Sequence, residues 1–319
     1  MRRLGKSGIR VSVIGLGLWA VGGQDWGPTD DGASLSTIDA ALEAGINFFD
    51  TADAYGEGHS EELLGRAMQG RRDRFIVASK IGWINFDSER RSSAYDTVAK
   101  LVAGVESSLK RLKTDHIDVI QRHIDFPDPT VEVFLEGFQS LQEAGKVRAY
   151  GLSTSDDGFL RRFNSDGRCA TLQIDYSLLN RTCEQEILPY CQAQDIGVIV
   201  RGPLAMGLLT GKFDPGARFG ENDFRRRWID SREEHEVFLE DLTKVDKLRS
   251  LTDGRSLAQL AIQFSIHHQA VATSIPGAKT VAQLRENVAA AQLPRLTAQE
   301  LGIINGVTPA GGGRKIWPA

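Results

Sequence analysis

The stretch GINFFDTADAYGEGHSEELLG, residues 45–65, reads as one strand, one turn and the start of one helix. Gly45 precedes an apolar run, Ile46 to Phe49, which stops abruptly at Asp50. Tyr55 follows across a turn of small residues. Ser60-Glu61-Glu62 then opens a helical pattern, with Ser60 as the expected N-cap after His59 and acidic residues in the first turn. A buried strand that ends on a carboxylate, with a phenol close behind it, places two reactive groups where a strand leaves the core.

The same unit recurs along the chain. VIGLG (13–17) is followed by LSTIDAALEAG, and FIVASKI (75–81) by YDTVAKLVAGVESSLKRL, with apolar residues three and four apart. HIDVIQRHI (116–124), VRAYGLST (147–154), TLQIDYSLL (171–179), GVIVRGPL (197–204) and VATSIPG (271–277) each precede a further helical pattern. Apolar runs without strict alternation fit parallel strands covered on both faces. Gly45, Gly145 and Gly197 stand where helix C-terminal caps are expected. Eight strand–helix units predict an α/β fold, a single (β/α)8 barrel of the TIM type spanning residues 1–319 as one domain. The opening RRLGKSGIRVS predicts a β-hairpin around Ser7-Gly8 that closes the barrel's bottom. No internal sequence repeat and no Pro/Gly linker divides the chain.

The 319 residues include 38 Lys and Arg against 42 Asp and Glu, a formal charge of −4. That balance argues against a nucleic-acid or anionic-membrane partner. Cys169, Cys183 and Cys191 form no C-x-x-C pair, so free thiols in a reducing compartment are expected. His267-His268 lacks ligand-spaced partners, and no metal site is expected. Arg2-Arg3 before VSVIGLGLWAVGG imitates a secretory signal, but two glycines interrupt the run and no small-residue cleavage site follows. A cytoplasmic, soluble protein is the expectation.

In such a barrel the chemistry sits at the C-terminal ends of the strands. Asp50 ends the second strand, Lys80 lies near the end of the third, and His123 ends the fourth. Ser153 and Thr154 end the fifth, Gln173 lies in the sixth, and Arg201 in the seventh. An acid, a lysine and a histidine on adjacent strands, with Tyr55 just beyond, exceed what polar strand ends alone account for.

Those residues carry a family resemblance. From RRLGKSGIRVSVIGLG to SIPGAKTVAQLRENVAAA the sequence resembles the aldo-keto reductases, most specifically in NFFDTADAYGEGHSEELLG, IVASKIG, IDVIQRHIDFPDP, GKVRAYGLST, LQIDYSLLNR and GPLAMGLLTGKF. The resemblance implies a catalytic tetrad of Asp50, Tyr55, Lys80 and His123. It also implies NADP as cofactor, with NADPH preferred over NADH, and a small-molecule carbonyl as substrate.

Carbonyl reduction needs a hydride on carbon, supplied by the nicotinamide, and a proton on oxygen, supplied by the protein. Tyrosine titrates near pH ~10, and an adjacent ammonium such as Lys80 is expected to lower that value. Asp50 would keep Lys80 charged, and His123 would orient the carbonyl and stabilise developing negative charge on oxygen. Trp19 and Trp83, just past the first and third strands, are expected to wall the substrate pocket.

Gly15-x-Gly17 lacks the third glycine of a Rossmann fingerprint, so the nucleotide is expected near strands seven and eight. There GPLAMGLLTGK (202–212) offers small residues for close backbone approach and Lys212 for charge, and Lys279 stands beside a helix start. By resemblance, Ser153, Thr154 and Gln173 would bind the carboxamide edge of the nicotinamide. The expected cofactor set is completed by Gly17, Trp19, Asp50, Arg201, Gly202, Pro203, Leu204, Gly207, Gly277, Gln283 and Asn287. Two positions depart from the family pattern. Arg201 stands where many members carry an aromatic residue, and Gln283 where many NADPH-specific members carry an arginine.

The basic loop 212–228 is expected to fold in part over the dinucleotide or to recognise an anionic substrate, and the tail GGGRKIWPA to bring Trp317 to the pocket. Two other functions fit parts of the pattern. A barrel lysine can form a Schiff base when its pKa is lowered. A nucleotide-binding regulatory protein similar to potassium-channel β subunits would share fold and tetrad.

Overall fold

A computed structural model describes residues 1–23, 26–27, 29–82, 95–123 and 131–316. Trp83 and Trp317, two of the residues expected at the pocket, lie outside these. Eight parallel strands form one sheet: β1 (Leu16–Gly17), β2 (Phe48–Asp50), β3 (Ile76–Ile81), β4 (Ile117–His123), β5 (Val147–Ser153), β6 (Thr171–Asp175), β7 (Gly197–Arg201) and β8 (Val271–Ser274). Each pairs with its sequence neighbour. Parallel bridges Ile14–Ser274 and Gly17–Gly277 join the two ends and close the barrel.

The strands looked uniformly apolar because their two faces feed two different cores. Phe48, Ala78, Val119 and Ile199 face inward, in one cluster with Leu4, Ile9 and Val11 of the N-terminal hairpin. Phe49, Val77, Ile120 and Val198 face outward against the helices. Side chains repeat every two residues, so the inward positions one step further along are Asp50, Lys80, Gln121 and Arg201. The barrel is therefore dry at its N-terminal end and polar at its C-terminal end.

The hairpin, Arg2–Arg3 paired with Arg10–Val11, seals the dry end as its sequence predicts. Lys6 N donates to Asp195 O, and Arg2 donates to the carbonyls of Val271 and Ile266. This contact explains Gly197, which is no helix cap. A Cβ there would stand 2.6 Å from Leu4 C and 2.7 Å from Gly5 N, so the first residue of β7 must be glycine for the hairpin to dock. The left-handed residue behind the preceding helix is Asp195, φ 50°, whereas Gly45 and Gly145 do hold positive φ as expected.

Helices follow the strands, and several begin on the short polar caps that the sequence offers. Asp30, Thr97, Asp156 and Thr280 each accept a backbone N–H from the first turn of the helix that follows. The helix after β2 is different. It runs His59–Ala67 behind Gly58, and Ser60 lies inside its first turn rather than at the cap. Ser60 Oγ is buried, donates to Leu18 O at 3.0 Å and meets Thr51 Oγ1 at 2.9 Å, tying β1, β2 and the helix together. No helix among the described residues is long and apolar enough to cross a membrane.

Candidate active site

Four residues expected at three strand ends and one turn converge. Lys80 Nζ donates to Asp50 Oδ1 at 2.5 Å, to Thr51 O at 2.8 Å and to Tyr55 Oη at 3.0 Å, which uses all three of its protons. Asp50 Oδ2 accepts Gln173 Nε2 at 2.7 Å and lies 3.5 Å from Gln121 Nε2. The Tyr55 and His123 rings meet edge to face, with centroids 5.7 Å apart. The turn that delivers the phenol is held by its own backbone: Thr51 N donates to Ala78 O, Asp53 N to Lys80 O, and Ser60 N to Tyr55 O.

Burial dominates the electrostatics of this group. It opposes the charge on Lys80, but Asp50 and Tyr55 together outweigh it and raise the lysine's pKa. Burial likewise pushes the Asp50 carboxyl up against the pull of Lys80. The Tyr55 phenol is raised, not lowered. Lys80 pulls it down as expected from the sequence, yet desolvation of a phenolate, with Asp50 adding to it, is larger. Burial, then Lys80 and Arg201, hold His123 well below the ordinary histidine range, so its imidazole is neutral at pH 7.

Above these residues opens a cavity of about 500 Å³. Asp50, Tyr55, His123, Ser153 and Gln173 form its floor. Gly17 and Trp19 reach it from β1. Arg201, Gly202, Pro203, Leu204, Gly207 and Lys212 come from β7 and the chain after it, and Gly277, Lys279, Gln283 and Asn287 from the chain after β8. Thr154 stays behind the wall, where its Oγ1 accepts Asp156 N at 3.0 Å and its own N–H donates to Gln173 O. Thr280 caps the helix Val281–Ala289, Gln283 Oε1 accepts Lys279 N at 2.8 Å, and Asn287 Nδ2 donates to Gly277 O at 3.3 Å. Lys279 Nζ donates to Trp26 O, leaving two of its protons for another acceptor.

The loop after β7 crosses above the cavity. Asp223 forms an antiparallel bridge with Trp26, and Phe224 stacks on Trp19 at 5.7 Å, which in turn stacks on Tyr55 at 6.0 Å. Of the loop's arginines only Arg225 lines the cavity. It is fixed by Asp223 at 2.5 Å and lies over the rings of Trp26, Phe213 and Phe219. Arg218, Arg226 and Arg227 are exposed. Sequence reasoning passed over Trp26, Met206 and Gln121. Strand parity alone points to Gln121, two residues before His123 and beside Lys80 in the β3–β4 register. Nothing local distinguishes Trp26.

Behind this wall the C-terminal segment is tied down. Arg314 pairs with the buried Asp241 at 2.5 Å and its N–H donates to Leu179 O; Ile316 N reaches Asp175 Oδ2 at 3.4 Å.

Fold and site together define a class, and comparison with known proteins names it. The sequence profile of the Aldo/keto reductase family matches residues 13–308, and the chain belongs to this family of oxidoreductases. The aldo-keto reductase YhdN of Bacillus subtilis is 39% identical over 287 residues, which cover 87% of this chain and 84% of that one. The glycerol dehydrogenase AKR11B4 of Gluconobacter oxydans superposes with a TM-score of 0.81 at 32% identity, covering 97% of this chain and 95% of the other. An aldo/keto reductase of Klebsiella pneumoniae, solved with NADP and acetate, gives a TM-score of 0.73 at 26% identity with the same coverage.

Proposed function

We propose that this protein reduces the carbonyl of a small aldehyde, ketone or sugar with NADPH, using Tyr55 as the general acid. The observation that carries the reading is the 3.0 Å contact between Lys80 Nζ and Tyr55 Oη on the floor of a cavity that also exposes neutral His123.

The residues present fit a nicotinamide dinucleotide phosphate. Lys212, Arg225 and Lys279 line the cavity, and Asp223 is the carboxylate that acts on both lysines. Burial and then Arg225 push the pKa of both lysines down, with Asp223 pulling back, as expected of cations that await an anion. Trp26 Nε1 is buried there with no acceptor among the described residues. The Klebsiella relative solved with NADP supports the same cofactor. When bound, the nucleotide supplies the hydride. Ser153 and Gln173 would hold the nicotinamide end, and Lys212, Arg225 and Lys279 the phosphates. Gln283 and Asn287 would line the adenosine end.

The remaining steps belong to the chain. His123, a neutral donor, orients the carbonyl oxygen and stabilises its growing charge. Tyr55 gives that oxygen its proton, and Lys80 stabilises the phenolate left behind. Asp50 keeps Lys80 charged, with Gln173 holding the other carboxylate oxygen. A Schiff-base role for Lys80 is disfavoured because its three protons are engaged and its pKa is raised. The regulatory-subunit alternative finds no support among these relatives. Tyr55→Phe tests the proposal: NADPH oxidation over a panel of sugars, keto-steroids, small aldehydes and quinones should fall by ~10²-fold or more, with nucleotide affinity nearly intact. Near-normal kcat in that variant would refute it.

A further inference from the structure

We propose that Gln121 is a positioning residue of the acid site, its amide aimed at Asp50 by one buried water that it shares with Thr171. The inference rests on the reading of Asp50, Lys80 and Tyr55 given above. Gln121 lies on β4 in register with Lys80 of β3, on the inward face two residues before His123. Its Nε2 stands 3.5 Å from Asp50 Oδ2, the oxygen that Gln173 Nε2 holds from β6 at 2.7 Å. At 3.5 Å the contact is at the limit of a hydrogen bond, so its worth depends on what fixes the amide. An Asp50 carboxylate paired with Lys80 at 2.5 Å only accepts. The amide nitrogen of Gln121 therefore faces Asp50, and the amide oxygen turns away.

That oxygen, Gln121 Oε1, is buried with no partner among the described residues, and so is Thr171 Oγ1. The two residues share one register row: Gln121 pairs with Gly151 of β5, and Gly151 with Thr171 of β6. By strand alternation all three face into the barrel. Gly151 has no side chain to separate the other two. Thr171 Oγ1 leans over it, 2.1 Å from where a Cβ would stand, on the side toward Gln121. Two interstrand spacings of about 4.8 Å separate Gln121 from Thr171, a span that their side chains and one water fill. Both residues are fully buried, with the apolar layer of Phe48, Val119 and Ile199 below them. Polar atoms in such a place are costly to leave unpaired. A single water meets both needs. It donates to Gln121 Oε1, which can only accept, and exchanges a second hydrogen bond with Thr171 Oγ1, which can give or take. Held from behind, the amide keeps its N–H on Asp50 Oδ2, and Asp50 Oδ1 stays on Lys80.

A crystal structure of the full chain that shows ordered solvent tests this directly. A solvent peak is expected within hydrogen-bond distance of both Gln121 Oε1 and Thr171 Oγ1; a map without one, with both side chains in place, overturns the inference. Thr171→Val keeps the shape and removes the hydroxyl. It should lower kcat for carbonyl reduction about two- to tenfold, the worth of one neutral hydrogen bond. KM and NADPH affinity should not move, because neither Gln121 nor Thr171 lines the cavity. Thr171→Ser should restore kcat. In a Gln121→Met background, Thr171→Val should cost nothing further. A wild-type kcat in Thr171→Val, no rescue by Thr171→Ser, or additive losses in the double variant overturn the inference while leaving the acid reading intact. Near-normal kcat in Tyr55→Phe overturns the acid reading, and the inference with it.

Discussion

Asp53 offers a sharp test of how burial sets charge around the phenol. It lies on the turn between Asp50 and Tyr55. Its Oδ2 accepts Tyr95 Oη at 3.1 Å, while its Oδ1 is buried with no partner among the described residues. Burial, reinforced by the buried carboxylate Glu61, pushes its pKa up to about 8, against smaller pulls from Tyr95 and Arg111. An unfolded aspartate titrates near ~3.9. The folded state thus binds more protons than the unfolded one between about pH 4 and pH 8, so stability is greatest below that window and is lost as pH rises through it. From pH 5 to pH 8 a full shift corresponds to about 4 kcal/mol, and partial exposure of the residue reduces this to about 2 kcal/mol. Asp53→Asn mimics the protonated acid at every pH. It should match the wild type at pH 5 and exceed it by about 2 kcal/mol at pH 8, read by urea unfolding followed through tryptophan fluorescence and circular dichroism. A difference between the two proteins that does not change with pH would refute the reasoning.

Lys80→Met should abolish most reduction, and because it strands the Asp50 carboxyl in the barrel, its stability should decline from pH 4 to pH 8 more steeply than the wild type's in the same unfolding assay. Lys279→Ala should weaken NADPH by roughly ten- to a hundredfold and NADH far less, the loss of one charge-assisted contact; equal losses in fluorescence titrations would show that the 2′-phosphate is not read there. Gly197→Ala should cost about 1–3 kcal/mol by forcing the N-terminal hairpin off the barrel, visible as a lowered Tm with little change in KM.

The sequence by itself determined the barrel and the level of its chemistry. Strand length, helical spacing and polar strand ends are local properties, so Asp50, Lys80 and His123 could be placed on adjacent strands, and the hairpin at the bottom, from residue order alone. Parity within each strand carried further information still, since it selects Gln121 for the polar layer. What depended on distant segments meeting was not legible. Ser60 looks like a cap until Leu18 and Thr51 arrive to bury it. Gly197 looks like a cap until Leu4 lies against it. The indole of Trp26 joins the cavity where distant segments meet it: Asp223, some two hundred residues away, pairs with its backbone, and Lys279 donates to its carbonyl. The sign of the Tyr55 shift was decided in the same way. A lysine beside a phenol predicts a lowered pKa, but desolvation depends on everything packed around the pair, and only the tertiary structure sets that larger effect.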